Sequence, residues 1–172
     1  MKASMLGKWA GAAALAVMML ASPLRAVAQG DTVLKPEDAK KLLPASVYYK
    51  AQTAPTQLRN SGGVKFADGY YLLATLVDTS GYSSDVASKY QAYFITEVAI
   101  KIGGHKLPAG VYGVGFIADN KFVVTDVGAH DVLTVTYATD EAIKRPLPLQ
   151  VEKDAAGGFR LYAGRKYVTI SR

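Results

Sequence analysis

Short runs of alternating apolar and polar residues recur from about residue 46 to the end of the chain, separated by Gly, Pro, Asn and Asp clusters. The clearest run, Leu107–Gly128, predicts a β-hairpin, because β-branched and aromatic residues fill two arms around the turn residues Ala118–Lys121. About ten strands of this kind follow one another with connections too short for helical crossovers. The pattern therefore predicts one all-β domain, an antiparallel sandwich or barrel.

Individual runs predict the place of a strand in the sheet. Tyr70–Val77 is apolar at nearly every position, which is typical of a central strand with both faces covered. Thr56–Arg59 predicts an edge strand that turns at Asn60–Gly63, and Tyr90–Ile102 predicts a single strand. Arg145–Glu152 has two prolines at alternate positions, so it also predicts an edge strand.

The first 28 residues have the pattern of a cleaved signal peptide. Lys2 and Lys8 precede an apolar run, and Ala26–Ala28 offers a small-x-small cleavage site. An uncleaved anchor is less favoured, because the run is shorter than the roughly 18–20 residues that span a bilayer. We expect a periplasmic or secreted bacterial protein with no stable membrane insertion after signal cleavage.

Charge and cysteine content narrow the function classes. Residues 1–28 contain three basic residues and no acidic one, so cleavage would lower the net charge from +6 to +3. The chain has no Lys/Arg stripe, which argues against a nucleic-acid partner. It also has no cysteine, so packing alone must stabilise it, as is common in the bacterial periplasm or exterior.

Two parts are expected after the signal peptide. Residues 29–45 form a polar lead-in with a short helix, since Pro36 suits a first helical position, acids follow it, and Pro44 ends the run. Residues 46–172 form the antiparallel β domain.

Catalytic and metal motifs are incomplete. Asp78-Thr79-Ser80-Gly81 differs from the Asp-Thr-Gly loop of aspartic proteases by the intervening serine, and an Asx turn explains it more simply. His105 and His130 are the only histidines, fewer than a zinc site generally needs, although Asp126 or Asp131 could orient His130. No Gly-x-Ser-x-Gly or complete nucleotide-binding motif occurs. We therefore expect no catalytic residue, no metal and no cofactor.

Tyrosine is the remaining unusual feature, with eleven copies in the chain. The β-strand preference of tyrosine is the favoured explanation of this enrichment, and a dedicated binding surface is the alternative. A binding site is expected where strands end in polar loops. Its candidate ligand-binding residues are Arg59, Asp78, Tyr82, Tyr112, Asp126 and His130.

One short motif carries a family resemblance. Gly104-x-x-Leu107-Pro108-Ala109-Gly110-x-Tyr112 resembles a turn in small secreted bacterial β-sandwich proteins of uncharacterised function, in which Leu-x-Ala-Gly-x-Tyr enters a strand. The resemblance implies an exported bacterial β-sandwich and supplies no activity.

Three functional hypotheses follow. The leading one is an exported, non-catalytic β-domain that binds a small amphipathic ligand or a protein partner. The second is a hydrolase that uses Asp78, Asp126 or His130 as its acid and base. The third is a subunit of an extracellular assembly, in which the Pro146/Pro148 edge pairs with neighbouring chains or blocks them.

Overall fold

The computed structural model describes residues 30–172, which form two antiparallel sheets packed face to face. The elements are β1 (Thr32–Leu34), α1 (Pro36–Ala39), β2 (Ser46–Tyr49), β3 (Gln52–Lys65), β4 (Tyr71–Val77), α2 (Ser84–Lys89), β5 (Ala92–Thr96), β6 (Ile100–Ile102), β7 (His105–Leu107), β8 (Gly110–Ile117), β9 (Lys121–Thr125), β10 (Asp131–Thr136), β11 (Ala138–Thr139), β12 (Gln150–Lys153), β13 (Phe159–Ala163) and β14 (Lys166–Ser171). The predicted all-β class is confirmed, in its sandwich form.

Each sheet has a simple order. The first is β1-β3-β4-β5-β8-β9-β10, with β2 paired to the free end of β3. The second is β12-β13-β14-β6-β7, with β11 paired to β14. The predicted signal peptide lies outside the described residues. Within the described range, no helix has the length and apolar character needed to span a membrane.

The hairpin predicted at Leu107–Gly128 is formed by β8 and β9, which pair from Gly113↔Thr125 to Ile117↔Lys121. Asp119 and Asn120 sit in the turn with φ of 56° and 55°. Asp and Asn tolerate this left-handed region better than other non-glycine residues, which is why the turn could be located from sequence.

Strand β4 lies between β3 and β5 and is covered on both faces, as its apolar sequence predicts. Leu72 and Ala74 point into the space between the sheets, whereas Leu73 points outward and packs against Ala39 and Leu43. This alternation follows from the two-residue period of a strand. The first sheet thus has an inner face against the second sheet and an outer face covered by the two helices and their flanking loops.

Apolar side chains from both sheets fill the space between them. Those fully buried include Val64, Leu72, Phe94, Val114, Phe122 and Val124 from the first sheet, and Ile102, Leu107, Leu161 and Ile170 from the second. Burying one such side chain contributes about 1.5–3 kcal/mol. Since the chain has no disulfides, this core is its main source of stability.

Two strand predictions were wrong. Residues 56–65 belong to one long strand, β3, and the chain does not turn at Asn60–Gly63. The pairing with β4 is only irregular between Gln57 and Ser61, and it continues regularly from Ser61 to Lys65. The segment predicted as one strand from Tyr90 to Ile102 instead crosses between the sheets, because β5 belongs to the first and β6 to the second.

The lead-in and the proline-rich edge also differ in extent. Helix α1 has only four residues and ends well before Pro44, and β1 in the same lead-in joins the first sheet. In the predicted Arg145–Glu152 strand, pairing begins only at Gln150, although β12 does lie at a sheet edge. The prolines explain the shortening, because they remove two of the N–H groups that a strand ladder needs.

Candidate functional site

The two sheets leave a groove where their edge strands β1 and β12 lie side by side. It has a volume of about 640 Å³ and runs from Val33–Glu37, past Ser61 and Gly62 of β3, to Leu147–Lys153. Small-molecule sites in proteins usually have volumes of about 300–1,000 Å³. The groove is therefore the right size for a small ligand.

Aliphatic side chains supply the apolar wall of the groove. Val33 and Leu34 contribute from β1, and Leu149 and Val151 are buried at the opposite side. Leu147 is 49% exposed at the mouth, in the irregular stretch that Pro146 and Pro148 keep out of the sheet.

Gly62 allows β3 and β12 to lie close together at the base of the groove. A Cβ atom at this position would lie 3.3 Å from the backbone nitrogen of Val151, tighter than most real Cβ contacts. The floor of the groove is therefore backbone and the small side chain of Ser61, whose hydroxyl donates to the Leu58 carbonyl at 2.6 Å.

A second, polar hollow adjoins the groove. It has a volume of about 380 Å³ and is lined by Pro36, Glu37, Lys40 and Arg59. Pro36 and Glu37 line both cavities, so the two lie next to each other. Arg59, a residue singled out from sequence, is thus placed at the polar end of the groove.

Tyr112, another candidate, stabilises its own turn. Its hydroxyl donates to the Pro108 carbonyl at 3.0 Å, four residues upstream. Gly110 leaves room for the ring, since a Cβ there would lie 2.9 Å from the tyrosine oxygen. The motif from Leu107 to Tyr112 is explained by this closure of the turn.

Tyr82 belongs to a tyrosine cluster, which we define as Tyr49, Tyr82 and Tyr90, on the outer face of the first sheet. The rings of Tyr49 and Tyr90 stack at 3.6 Å, and Tyr82 meets both edge-on. The Tyr82 hydroxyl donates to the Tyr49 carbonyl at 3.0 Å. Burial raises the pKa of the Tyr90 hydroxyl, which has no hydrogen-bond partner within residues 30–172.

The tyrosine cluster packs against β8 at Gly113, where the strand has no side chain. The Thr125 hydroxyl donates to the Gly113 carbonyl at 3.2 Å, so the Tyr49 hydroxyl, 2.6 Å from Thr125 Oγ1, is the donor in that pair. A Cβ at Gly113 would lie 2.5 Å from the Tyr90 ring and 2.8 Å from the Tyr49 ring. The glycine is therefore required by packing.

Asp126 and His130 come together in the loop after β9. Asp126 Oδ1 accepts hydrogen bonds from the backbone N–H groups of Gly128 at 2.8 Å and His130 at 3.0 Å, and Oδ2 lies 3.0 Å from His130 Nδ1. The backbone bond from His130, followed by its side chain, lowers the pKa of the Asp126 carboxyl. Asp131 instead pairs with Lys89 at 3.0 Å.

This loop also holds the turn between β2 and β3, next to the tyrosine cluster. The Lys50 backbone N–H donates to the Val127 carbonyl at 2.9 Å, and Lys50 Nζ donates to the Gly128 carbonyl at 3.3 Å. Ala129 packs against the cluster. Tyr82, Asp126 and His130 therefore gather at one end of the first sheet, where their bonds brace loops.

Asp78 is exposed, and its carboxylate stabilises the turn in which it lies. Asp78 Oδ1 accepts from the Ser80 backbone N–H at 3.1 Å, which lowers the pKa of the carboxyl and is the Asx turn expected from sequence. Its carboxylate forms no hydrogen bond with Asp126 or His130. In the described part of the chain, no three His, Asp or Glu side chains gather as metal ligands would.

The residues that line the groove were not predicted from the sequence. Their signal is weak: Leu147, Leu149 and Val151 alternate along the proline-rich edge, and Val33-Leu34 is a short apolar pair in a polar lead-in. No tyrosine is among the residues that line the groove. The tyrosine pattern thus pointed to a different part of the sheet.

Comparison of the chain with protein-family models, with curated proteins and with solved structures finds no match to any of them. The class of protein is therefore described from the fold and the groove alone. The described chain is an antiparallel β-sandwich with a ligand-sized cavity at one open edge.

Proposed function

We propose that the protein is an exported, non-catalytic binding protein that holds a small amphipathic ligand in the groove between β1 and β12. One observation carries this proposal: the groove is ligand-sized and aliphatic along its wall, and it joins a hollow with two basic side chains. A surface of this kind suits a molecule with an apolar body and a polar end. Export is supported by the signal-peptide pattern of residues 1–28.

The hydrolase alternative has one favourable observation, the contact between Asp126 and His130. However, Asp126 Oδ1 already accepts two backbone bonds of its own loop, and the Asp78 carboxylate is bound by Ser80. A pair that braces a loop explains these bonds without chemistry. The groove therefore supports binding better than these residues support catalysis.

Substitution at the mouth of the groove tests the binding function. Leu147→Glu places a charge where an apolar ligand would lie, and Val132→Glu makes the same change at a residue of similar exposure, 49% against 47%, on the opposite edge strand β10. Both sites tolerate a polar side chain, because surface substitutions usually change stability by less than about 0.5 kcal/mol.

The purified protein, expressed at full length, is titrated by calorimetry with three amphiphiles that each have a ten-carbon chain: decanoate, 1-decanol and decyltrimethylammonium. We expect at least one to bind, and Leu147→Glu to weaken that binding by about fivefold or more, since part of a buried leucine's contribution is lost. Val132→Glu should bind as wild type does. Binding of none of the three, or equal binding by Leu147→Glu and wild type, would contradict the proposal.

A further inference from the structure

We propose that the ligand is an aliphatic monocarboxylate, with its hydrocarbon chain along the β1–β12 groove and its carboxylate at Lys40 and Arg59. This inference rests on the proposed binding function and adds the chemical class of the ligand. It is carried by the chemistry of the groove wall, the adjacency of the two cavities at Pro36 and Glu37, and the distribution of charge along them.

The groove wall selects a flexible hydrocarbon chain. Its apolar members are Val33, Leu34, Leu147, Leu149 and Val151, with Pro36 at one end. No aromatic side chain lines this cavity in the described residues, so a planar aromatic ligand finds no ring to stack on. An alkyl chain needs only dispersion contacts and removal from water, which aliphatic side chains supply.

The polar hollow gives the ligand a direction. It adjoins the groove at Pro36 and Glu37, and it is also lined by Lys40 and Arg59. An arginine guanidinium can donate two parallel hydrogen bonds to one carboxylate, and a lysine ammonium adds a further donor. A chain lying in the groove would therefore place its carboxylate in this hollow.

The surrounding charges favour a single negative charge on the ligand. The basic side chains along the two cavities are Lys35, Lys40, Arg59 and Lys153, and the acidic ones are Glu37 and Glu152. None of the six takes part in an ion pair within residues 30–172. The basic residues thus exceed the acidic ones by two, which attracts an anion. The two glutamates would repel additional negative charge along the groove.

The same three amphiphiles test the inference, because they share a ten-carbon chain and differ in the charge of the head group. We expect decanoate to bind most tightly, 1-decanol less tightly and decyltrimethylammonium least. Added salt should weaken the binding of decanoate and leave that of 1-decanol nearly unchanged, since screening acts on the charge alone.

A charge-matched pair of variants locates the head group. Lys40→Gln with Arg59→Gln removes two positive charges at the hollow, whereas Lys101→Gln with Lys106→Gln removes two from exposed, opposite positions of the β6–β7 hairpin. The first variant should raise the Kd for decanoate by about two- to thirtyfold, the range expected for two partly exposed ion pairs, and leave 1-decanol unchanged. The second should bind decanoate as wild type does.

The outcomes separate this inference from the proposed function. If 1-decanol or the ammonium compound binds as tightly as decanoate, or if both double variants lose decanoate equally, the inference is overturned while the groove remains a binding site. If no amphiphile binds, the proposed function fails as well. Far-UV circular dichroism of each variant confirms that the fold is retained.

Discussion

Replacing Gly113 by alanine tests whether the tyrosine cluster depends on a strand without a side chain. The added methyl group would lie 2.5 Å from the Tyr90 ring, 2.8 Å from the Tyr49 ring and 2.8 Å from Thr125 Oγ1. Tyr49 and Tyr90 are almost completely buried, so neither ring can move into solvent without losing its packing. Either the rings or the strand must shift.

The expected cost follows from three contributions. Overpacking of a core costs about 1–3 kcal/mol. Displacement of Tyr49 also disturbs its hydrogen bond to Thr125, which is worth about 0.5–1.5 kcal/mol. Alanine restricts the unfolded chain more than glycine does, which offsets about 0.4–1 kcal/mol. The midpoints of these three ranges give an expected net loss of about 2–3 kcal/mol in the free energy of unfolding.

Urea unfolding followed by far-UV circular dichroism measures this loss, and thermal unfolding should show a lower Tm by about 4–10 °C. Gly81→Ala is the matched control, because the nearest atom to its Cβ would be Gln52 Oε1 at 3.7 Å, an ordinary contact. A change of less than about 0.5 kcal/mol for Gly113→Ala, or equal changes for both variants, would refute the packing argument.

Two further predictions concern the turn before β8 and the loop after β9. Tyr112→Phe should lower the free energy of unfolding, measured in urea, by about 0.5–1.5 kcal/mol, because the Pro108 carbonyl loses its donor. Tyr70→Phe, at a half-exposed site, should not lower it. Equal losses in the two variants would contradict the role of the Tyr112 hydrogen bond in the turn. The pKa of the Asp126 carboxyl lies below the ordinary value of 3.8, so its stabilising effect is complete above that value and is lost as the pH falls through the lowered folded-state pKa. Asp126→Asn should therefore make the free energy of unfolding depend less on pH between about pH 2 and pH 6, and Glu141→Gln should not change this dependence. The same pH dependence in Asp126→Asn and wild type would count against the Asp126 interactions.

The hairpin of β8 and β9 could be predicted because its determinants are local. Asp119 and Asn120 accept the left-handed conformation of the turn, and the arms on either side alternate in the strand period. The last two strands, β13 and β14, have determinants of the same local kind, and they pair around Gly164.

Strand β3 shows where local signals mislead. The stretch Asn60-Ser61-Gly62-Gly63 has the composition of a turn. Its glycines instead make room for residues that are distant along the chain. Gly62 makes room for Val151, and a Cβ at Gly63 would overlap the backbone of Leu72 and the side chain of Leu73. Glycines selected for close approach of other strands cannot be told from turn glycines in a single sequence.

Contacts of the candidate residues could be predicted from the sequence where the partners lie close together along the chain. The Asp126–His130 contact spans four residues and was one of two pairings open from sequence; Asp131 was the other, and it binds Lys89. The groove could not be predicted, because it joins Val33–Glu37, Gly62 and Leu147–Lys153, which meet only once both sheets are packed. Of the six candidates, only Arg59 lies beside it.

The separation of the groove walls along the chain also constrains how the protein is made. Synthesis proceeds from the N-terminus, so β1 emerges before the other strands and β12 follows only after every strand of the first sheet has been produced. Contacts between such distant segments form late and slowly. Until β12 docks, the aliphatic side of β1 stays uncovered, as does Gly62 of β3, which lies against the backbone of Val151 in β12. A nascent or truncated chain that ends before Gln150 would therefore lack the β12 wall of the groove and expose an apolar edge, a state that favours aggregation or capture by a chaperone.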